Sequence, residues 1–171
     1  MTEDTSLTNL TNFDNEDTQK DKYLTFHLAG EDYGMEIRYV NEIIGIQNIT
    51  DVPDMPDFIR GVINLRGKVI PIMDVRLRFG LEAREYDDRT CIIVTNVENT
   101  EVGLVVDEVS EVADIPETHV EPAPRTGKNK ETSYIQGMGK INEDVKILLD
   151  VHKLLFSGEM QELAATLEDN Q

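Results

Sequence analysis

One stretch of the chain decides the fold: Gly61-Val62-Ile63-Asn64-Leu65-Arg66-Gly67-Lys68-Val69-Ile70-Pro71-Ile72-Met73-Asp74-Val75-Arg76. Its two apolar runs flank the polar triplet Arg66-Gly67-Lys68. A glycine after Arg66 permits the positive φ that a hairpin turn needs. The stretch therefore predicts two antiparallel strands joined by a tight turn. At this turn the Arg66 guanidinium offers five fixed donors to a carboxylate or to carbonyl groups.

Similar short apolar runs, separated by Gly, Pro, Asn and Asp, continue on both sides of this stretch. Such spacing is typical of a chain built from many short strands. The first half of the chain contains the predicted strands 23–28, 32–37, 47–52, 61–66 and 69–73. The second half contains 91–97, 101–107, 109–115, 133–139 and 144–149. The fold is therefore expected to be all-β, with five strands from each half.

The two halves resemble each other in sequence. Moving the chain by 69 positions lays Gly34-Met35-Glu36-Ile37 over Gly103-Leu104-Val105-Val106, and residues 40–43 over residues 109–112, without a gap. After an insertion of seven residues the shift becomes 76, which lays Gly61 over Gly137. The order of features is preserved, so the chain is expected to contain two similar units.

Both units end in an apolar strand, an aspartate and a short amphipathic segment. The aspartates are Asp74 and Asp150, each in a position suited to a helix N-cap. Two such units fit two small barrels, since closure protects strand edges. The expected organisation is a disordered tail at 1–21, barrel one at about 22–80, barrel two at about 89–156, and a C-terminal surface helix and tail at 157–171, with helical spacing over 159–168.

Composition excludes several classes of function. The formal net charge is -18, from 34 acidic and 16 basic residues, so phosphate backbones are repelled and nucleic acid is not an expected partner. No apolar run approaches the roughly 18 residues of a membrane span, and residues 1–21 lack the pattern of a secretion signal. A cytoplasmic protein without membrane insertion is expected. The lone cysteine, Cys91, starts an apolar run and is expected to be a buried small hydrophobe.

No pattern of catalytic or metal-binding residues is found. His27, His119 and His152 are far apart and lack the spacing of a metal site. No serine lies in a Gly-x-Ser-x-Gly elbow, and no phosphate-binding glycine-rich loop precedes a helix. One enzyme hypothesis, a hydrolase built on Asp74 and Asp150, competes with helix capping. We therefore expect no catalytic residues, no metal and no cofactor.

The hairpin stretch resembles the signature of the CheW family of chemotaxis coupling proteins. The matching segments are Asn64-Leu65-Arg66-Gly67, Val69-Ile70-Pro71-Ile72 and Asp74-Val75-Arg76, with further agreement at 33–37, 40–43, Pro56-x-Phe58-Ile59-x-Gly61 and 103–112. The resemblance covers roughly residues 22–156. It implies two packed five-stranded SH3-like β-barrels with short helices, in agreement with the duplication.

The resemblance also implies a non-catalytic function. Such a protein links the cytoplasmic tip of methyl-accepting chemotaxis receptors to the regulatory domain of the histidine kinase CheA, and is recruited to membrane receptor arrays. Residues that match the family segments are carried over as the receptor-side coupling surface: Val40, Glu42, Ile43, Gly61 and Arg66. Gly103 and Val112 are carried over as a kinase-side surface. A paralogous adaptor of another chemosensory-type pathway remains the alternative.

Glu42 and Arg66 are each a lone charge among apolar neighbours in the family-like segments. We expect them to act together at the coupling surface, either paired with each other or each in contact with a partner. A basic cluster in the loop 121–132 is either a solvated connection or a contact for an acidic partner.

Overall fold

The computed structural model describes residues 19–123 and 134–156. Most of these residues lie in strands, as the sequence predicts. The strands are β1 (Lys22–Leu28), β2 (Glu31–Glu36), β3 (Val40–Gly45), β4 (Ile59–Leu65), β5 (Lys68–Asp74), β6 (Cys91–Val97), β7 (Thr100–Val106), β8 (Glu108–Asp114), β9 (Val120–Glu121), β10 (Ile135–Ile141) and β11 (Asp144–Leu149). Two short helices follow β5 and β11: α1 (Val75–Arg78) and α2 (Val151–Phe156).

The strands form two sheets. One has five strands in the order β3-β6-β7-β5-β4, and the other has six in the order β8-β1-β2-β11-β10-β9. Five strands were expected in each. The sixth strand, Val120–Glu121, pairs with β10 and closes its sheet, and its counterpart in the other barrel is the isolated bridge between Thr50 and Val62. The two barrels therefore close in the same way, and only the length of the closing pair differs.

Each barrel takes strands from both halves of the chain. β1 and β2 pair with β8 and β11, while β6 and β7 pair with β3 and β5. The two pairings that join β2 to β11 and β5 to β7 are parallel. The expected boundary at residues 80–89 separates the two repeats, but it does not separate the two sheets, because the repeats exchange their first two strands.

Two glycines allow this exchange at equivalent positions. Gly34 lies opposite Leu148, and Gly103 lies opposite Ile72. A Cβ at Gly34 would lie 3.1 Å from Leu148 Cδ2, and one at Gly103 would lie 2.7 Å from Ile72 Cδ1. The absence of a side chain at both positions makes room for a large residue of the parallel neighbour.

One predicted strand was wrong. Residues 47–52 are irregular apart from the bridge at Thr50, and the strand lies earlier, at Val40–Gly45. Its pairing with β6 contains a register shift between Val40 and Glu42. Burial still alternates along this strand, but Glu42 lies on its more buried side and Ile43 on its exposed side, so polarity does not follow the alternation on which a sequence-based strand prediction depends.

The predicted helix caps are confirmed. Asp74 Oδ1 accepts a hydrogen bond from the Leu77 amide at 3.4 Å, and Asp150 Oδ1 accepts one from the Lys153 amide at 3.0 Å. The backbone N–H group of each aspartate donates to the carbonyl oxygen of an aromatic residue 16 positions earlier, Phe58 for Asp74 and Tyr134 for Asp150, each at 2.7 Å. The two repeats therefore have the same helix entrance.

Arg78, the last residue of α1, joins the two repeats. Its guanidinium carbon lies 4.5 Å from the ring centroid of Phe58 and 4.9 Å from that of Tyr134. Its Nε and Nη2 donate to the carbonyl oxygen of Leu154, at 3.2 and 3.0 Å. Leu154 is the counterpart of Arg78 under the 76-residue shift. The Arg78 guanidinium thus contacts the equivalent aromatic residue of each repeat and the last turn of α2.

The main hydrophobic core contains residues from both barrels, including Phe26, Met73, Ile93 and Leu149. Cys91 is only partly buried, because it begins β6, and its Sγ lies 3.4 Å from the Arg89 carbonyl oxygen. This corrects the expectation of a buried thiol.

The predicted tail at 1–21 overlaps the described part of the chain in residues 19–21. The carbonyl oxygen of Asp21 accepts a hydrogen bond from the Ile115 amide at 2.8 Å, so Asp21 is held against the chain just after β8 and is not part of a disordered tail. Residues 1–18, most of the basic loop and the predicted helix at 159–168 lie outside the described residues.

Candidate functional site

The hairpin that decides the fold has a tight two-residue turn. Both Arg66 and Gly67 have positive φ, +53° and +86°. The amide of Gly67 donates to the Asn64 side-chain oxygen at 2.9 Å, which fixes the turn from within. Positive φ at both central residues is the geometry of a type I′ hairpin. The turn therefore holds the Arg66 side chain at the end of the β4–β5 hairpin.

Arg66 binds Glu42 with two nitrogens. Its Nη1 donates to Glu42 Oε2 at 3.3 Å, and its Nη2 donates to Glu42 Oε1. The Arg66 side chain is 70% exposed and that of Glu42 is 30% exposed. The hydrogen bond and the negative charge of Glu42 raise the pKa of the Arg66 guanidinium. The structure thus brings together the two charged residues that the sequence selected.

This ion pair joins the two edges of the five-stranded barrel. Glu42 lies on β3 and Arg66 follows β4, and these are the first and last strands of the sheet. A second pair lies beside it, in which Lys68 Nζ contacts Glu101 Oε1 at 3.0 Å. Asn41 also donates to Glu101, at 3.4 Å. These three residues were not selected from the sequence; Lys68 lies in the quoted triplet, but nothing in the sequence marks Glu101.

Exposed apolar residues flank the ion pair along the chain. Ile43 directly follows Glu42 and is 43% exposed, and Val69 lies three residues after Arg66 and is 51% exposed. Val40 differs from them, because it is partly buried against the main core. We count the five-stranded barrel as the first and the six-stranded barrel as the second, and we call the four residues Glu42, Ile43, Arg66 and Val69 the first-barrel surface.

Gly61 supports this surface from inside the barrel. It is buried, has φ of +140° and lies at a register shift in the β4–β5 pair. A Cβ at this position would lie 2.0 Å from the carbonyl oxygen of Thr50, which is the residue that closes the barrel. Gly61 is therefore required by the backbone and presents no side chain to a partner.

The two residues assigned to a kinase-side surface differ in burial. Gly103 is buried between Ile72 and Ile92, so it lies inside the barrel and not on a surface. Val112 lies on β8 of the other barrel and is 52% exposed. Of this pair only Val112 is accessible to another protein.

The carboxylates of the enzyme hypothesis are occupied by structural contacts. Asp74 is 2% exposed, caps α1 with one oxygen and accepts the Tyr86 hydroxyl with the other at 2.8 Å. Burial and this hydrogen bond raise the pKa of Tyr86. Asp150 caps a different helix. The two acids thus form no catalytic pair.

The histidines are also dispersed. His27 contacts Asp32, which also binds Lys146 at 2.9 Å, and His152 contacts Glu98 at 3.3 Å. Within residues 19–123 and 134–156 no group of His, Cys, Asp and Glu is arranged to hold a metal ion. Over the same residues no helix is long and apolar enough to cross a membrane.

Two intertwined barrels with an exposed ion pair beside exposed apolar residues define a protein–protein interaction module. The family can be stated as well. A family model described as "CheW-like domain" matches residues 22–159, and the chain belongs to this family. CheW proteins are non-catalytic scaffold and coupling proteins, and this chain is a chemotaxis coupling protein of that kind.

Individual relatives agree with the family match. The chain is 41% identical over 144 residues to the chemotaxis protein CheW of Klebsiella aerogenes, covering 84% of this chain and 87% of the relative. It is 38% identical to that of Bacillus subtilis over 79% of this chain and 86% of the relative. The crystal structure of scaffolding protein TtCheW from Thermoanaerobacter tengcongensis is similar with a TM-score of 0.75 and 36% identity, over 82% of this chain and 94% of that one.

Proposed function

We propose that the chain links methyl-accepting chemoreceptors to the histidine kinase CheA, and that the first-barrel surface is its receptor side. The observation that carries this assignment is the Arg66–Glu42 pair beside Ile43 and Val69. Interfaces combine exposed apolar anchors with arginine, whereas isolated surface charges contribute little to stability. A role in binding explains why this pair lies among exposed apolar residues.

The internal duplication supports the same assignment. In the second barrel the residue equivalent to Arg66 is Asn142, under the 76-residue shift, and that equivalent to Glu42 is Glu111. Both barrels close through backbone pairing, at Thr50–Val62 and at Glu121–Met138. An ion pair lies at the second closure as well, between Lys140 and Glu121, so the feature specific to the first barrel is the exposed arginine at its hairpin turn, which we assign to recognition.

The kinase side is proposed to include the exposed Val112 on β8, in the other barrel. A chain with two separate surfaces can bind a receptor and a kinase at the same time, which is what coupling requires. It acts without catalysis or a bound cofactor, in the cytoplasm, and is recruited to receptor arrays through its partners.

The test is reconstitution of purified chain with a CheA-type kinase and receptor-containing membranes. Arg66→Glu should weaken receptor binding about tenfold or more, because it places two carboxylates together beside the apolar residues. The matched control is Lys140→Glu, which reverses one charge of the exposed Lys140–Glu121 pair on the other barrel. It should change binding by less than about threefold.

Unchanged receptor binding by Arg66→Glu would refute the receptor-side assignment. A pull-down with the unaltered chain from a cell lysate then tests the partners themselves. Recovery of a CheA-like kinase and chemoreceptors supports the proposal, whereas recovery of a kinase and receptors of another chemosensory pathway favours the paralogous adaptor.

A further inference from the structure

The second barrel carries a carboxylate without an arginine to bind it. Glu111 occupies the position of Glu42 under the 69-residue shift. The strand register agrees with this equivalence. Ile43 pairs with Ile93, and its counterpart Val112 pairs with Leu24, which is the counterpart of Ile93. At the turn, Asn142 has φ of +56°, close to the +53° of Arg66. At these positions the backbone is thus alike in both barrels, and only the first has an arginine at the turn.

Among the residues that the structure describes, the Glu111 side chain has no partner. In the described parts of the chain its carboxylate takes part in no hydrogen bond and no ion pair. Glu42, in contrast, is bound through both oxygens. A carboxylate in this position can therefore bind a guanidinium through both oxygens. The carboxylate of Glu111 is available to bind an arginine of another protein in this way.

The backbone of Glu111 is held in place. The hydroxyl of Thr25 donates to the Glu111 carbonyl oxygen at 2.8 Å and accepts from the Glu111 amide at 3.1 Å. Thr25 is 1% exposed and lies at a register shift in the β1–β8 pair. A bulge fixed by a buried hydroxyl directs one side chain of the edge strand outward. Fixing the position beforehand lowers the entropy that binding costs.

An exposed apolar residue directly follows Glu111 in the chain. Val112 is 52% exposed, as Ile43 is exposed beside Glu42. Glu111 and Val112 lie on β8, the terminal strand of the six-stranded sheet. The second barrel therefore repeats the first-barrel surface with its arginine removed. The net charge of -18 favours a partner that brings a cation.

We propose that Glu111 and Val112 form a docking site for an arginine side chain of the kinase and an apolar residue beside it. The inference rests on the proposed coupling function and specifies the chemistry of its kinase side. The arginine of the partner takes, across the interface, the place that Arg66 has within the first barrel.

The experiment measures the affinity of the full chain for full-length CheA-type kinase. Glu111→Gln removes the charge at constant size, and Glu111→Arg reverses it. Asn142→Arg supplies an arginine from the same chain. The positive φ at this position is compatible with arginine, because Arg66 has nearly the same φ. Glu82→Gln is the matched control, since Glu82 is exposed in the segment after α1.

Glu111→Gln should weaken kinase binding about tenfold, and Glu111→Arg should weaken it more. Asn142→Arg should also weaken binding, because its guanidinium occupies Glu111, while Glu82→Gln should bind as the unaltered chain does. Melting curves of all four variants should coincide, which separates the effect from misfolding.

Equal kinase affinity for Glu111→Gln, Glu111→Arg and the unaltered chain would overturn the inference and leave the coupling function intact. Failure of the unaltered chain to bind any CheA-type kinase would overturn the proposed function itself. Receptor binding measured in parallel should be unchanged by Glu111→Gln.

Discussion

The guanidinium of Arg66 binds the carboxylate of Glu42 across the closure of the five-stranded barrel, although the two residues are 24 positions apart in the chain. Both charges lie at the rim, with Arg66 largely exposed. Solvent screens such a pair, so its effect on stability is expected to be small. Its fixed geometry matters more for what the surface presents to a receptor.

The first prediction concerns this pair as a unit. If the partner recognises the paired geometry, Glu42→Ala, Arg66→Ala and the double variant should weaken receptor binding to a similar extent, because either single change already destroys the pair. Stability should be nearly unchanged in all three. Binding and unfolding are measured for the complete cycle. Independent losses that multiply in the double variant would show that the two residues act separately.

The second prediction concerns Gly61. Gly61→Ala should lower the free energy of unfolding by about 3 kcal/mol or more, because the new Cβ would overlap the Thr50 carbonyl and the residue has φ of +140°. Gly67→Ala has positive φ but open space and should cost about 1 kcal/mol. Denaturant unfolding without any partner present is the measurement.

Gly45→Ala serves as the control for Gly61, since Gly45 has neither positive φ nor a neighbour within 4 Å of its Cβ position. Its unfolding should be close to that of the unaltered chain. A Gly61→Ala protein that unfolds normally but fails to bind receptor would instead assign Gly61 a direct role in the interface.

The third prediction concerns Asp107, which follows β7. It binds Arg76 at 2.7 Å and accepts the Ala29 amide at 3.0 Å. Burial acts to raise the pKa of Asp107, but the hydrogen bonds from Arg76 and Ala29 outweigh it and hold the pKa below its usual 3.8. Because the folded-state pKa is depressed, the stabilisation is complete above the unfolded pKa and is lost as pH falls through the lower folded value.

Asp107→Asn should therefore lower the free energy of unfolding by about 2 to 3 kcal/mol at pH 7. This difference from the unaltered chain should stay constant down to about pH 5 and shrink below about pH 4, as Asp107 itself becomes protonated. Unfolding curves across this pH range provide the test. Asp114→Asn, at an exposed pair with Lys22, is the control and should change stability by less than about 1 kcal/mol. A difference that grows on acidification would contradict the sign of the shift.

The fourth prediction concerns Arg78 between the two repeats. Arg78→Met keeps the apolar stem but removes the cation from Phe58 and Tyr134 and the donors from the Leu154 carbonyl, and should cost about 2 kcal/mol. Arg60→Met removes a longer contact, 5.6 Å from the Tyr86 ring, and should cost less. Thermal unfolding ranks the two. Equal effects would mean that the position of Arg78 between the repeats adds nothing.

Much of the fold could be predicted from sequence, because strand periodicity and turn residues are local. The hairpin around Arg66 and Gly67, the caps at Asp74 and Asp150, and the all-β class all rest on neighbours within a few residues. The strand at Val40–Gly45 was missed because its residue polarity does not follow its burial: Glu42 lies on the more buried side and Ile43 on the exposed side.

The candidate site was predicted only in part. Sequence selected Glu42 and Arg66 as lone charges among apolar residues, and tertiary structure placed them in contact. Lys68 and Glu101 could not be selected together, because they meet only through the pairing of β5 with β7. Gly61 and Gly103 matched family segments, and only the tertiary structure shows that both are buried inside the barrel.

The sequence by itself determined that this protein has two repeats of one strand pattern, with a tight arginine hairpin in the first repeat only. It could not determine which repeat supplies each strand, since Gly34 and Gly103 offer the same space to Leu148 and Ile72, and exchanged and unexchanged pairings satisfy the same local pattern. Only the tertiary structure decided the exchange. The core shared by both barrels buries residues such as Phe26 and Ile93 together, and burial of that kind depends on the whole chain and leaves no mark within a short window of sequence.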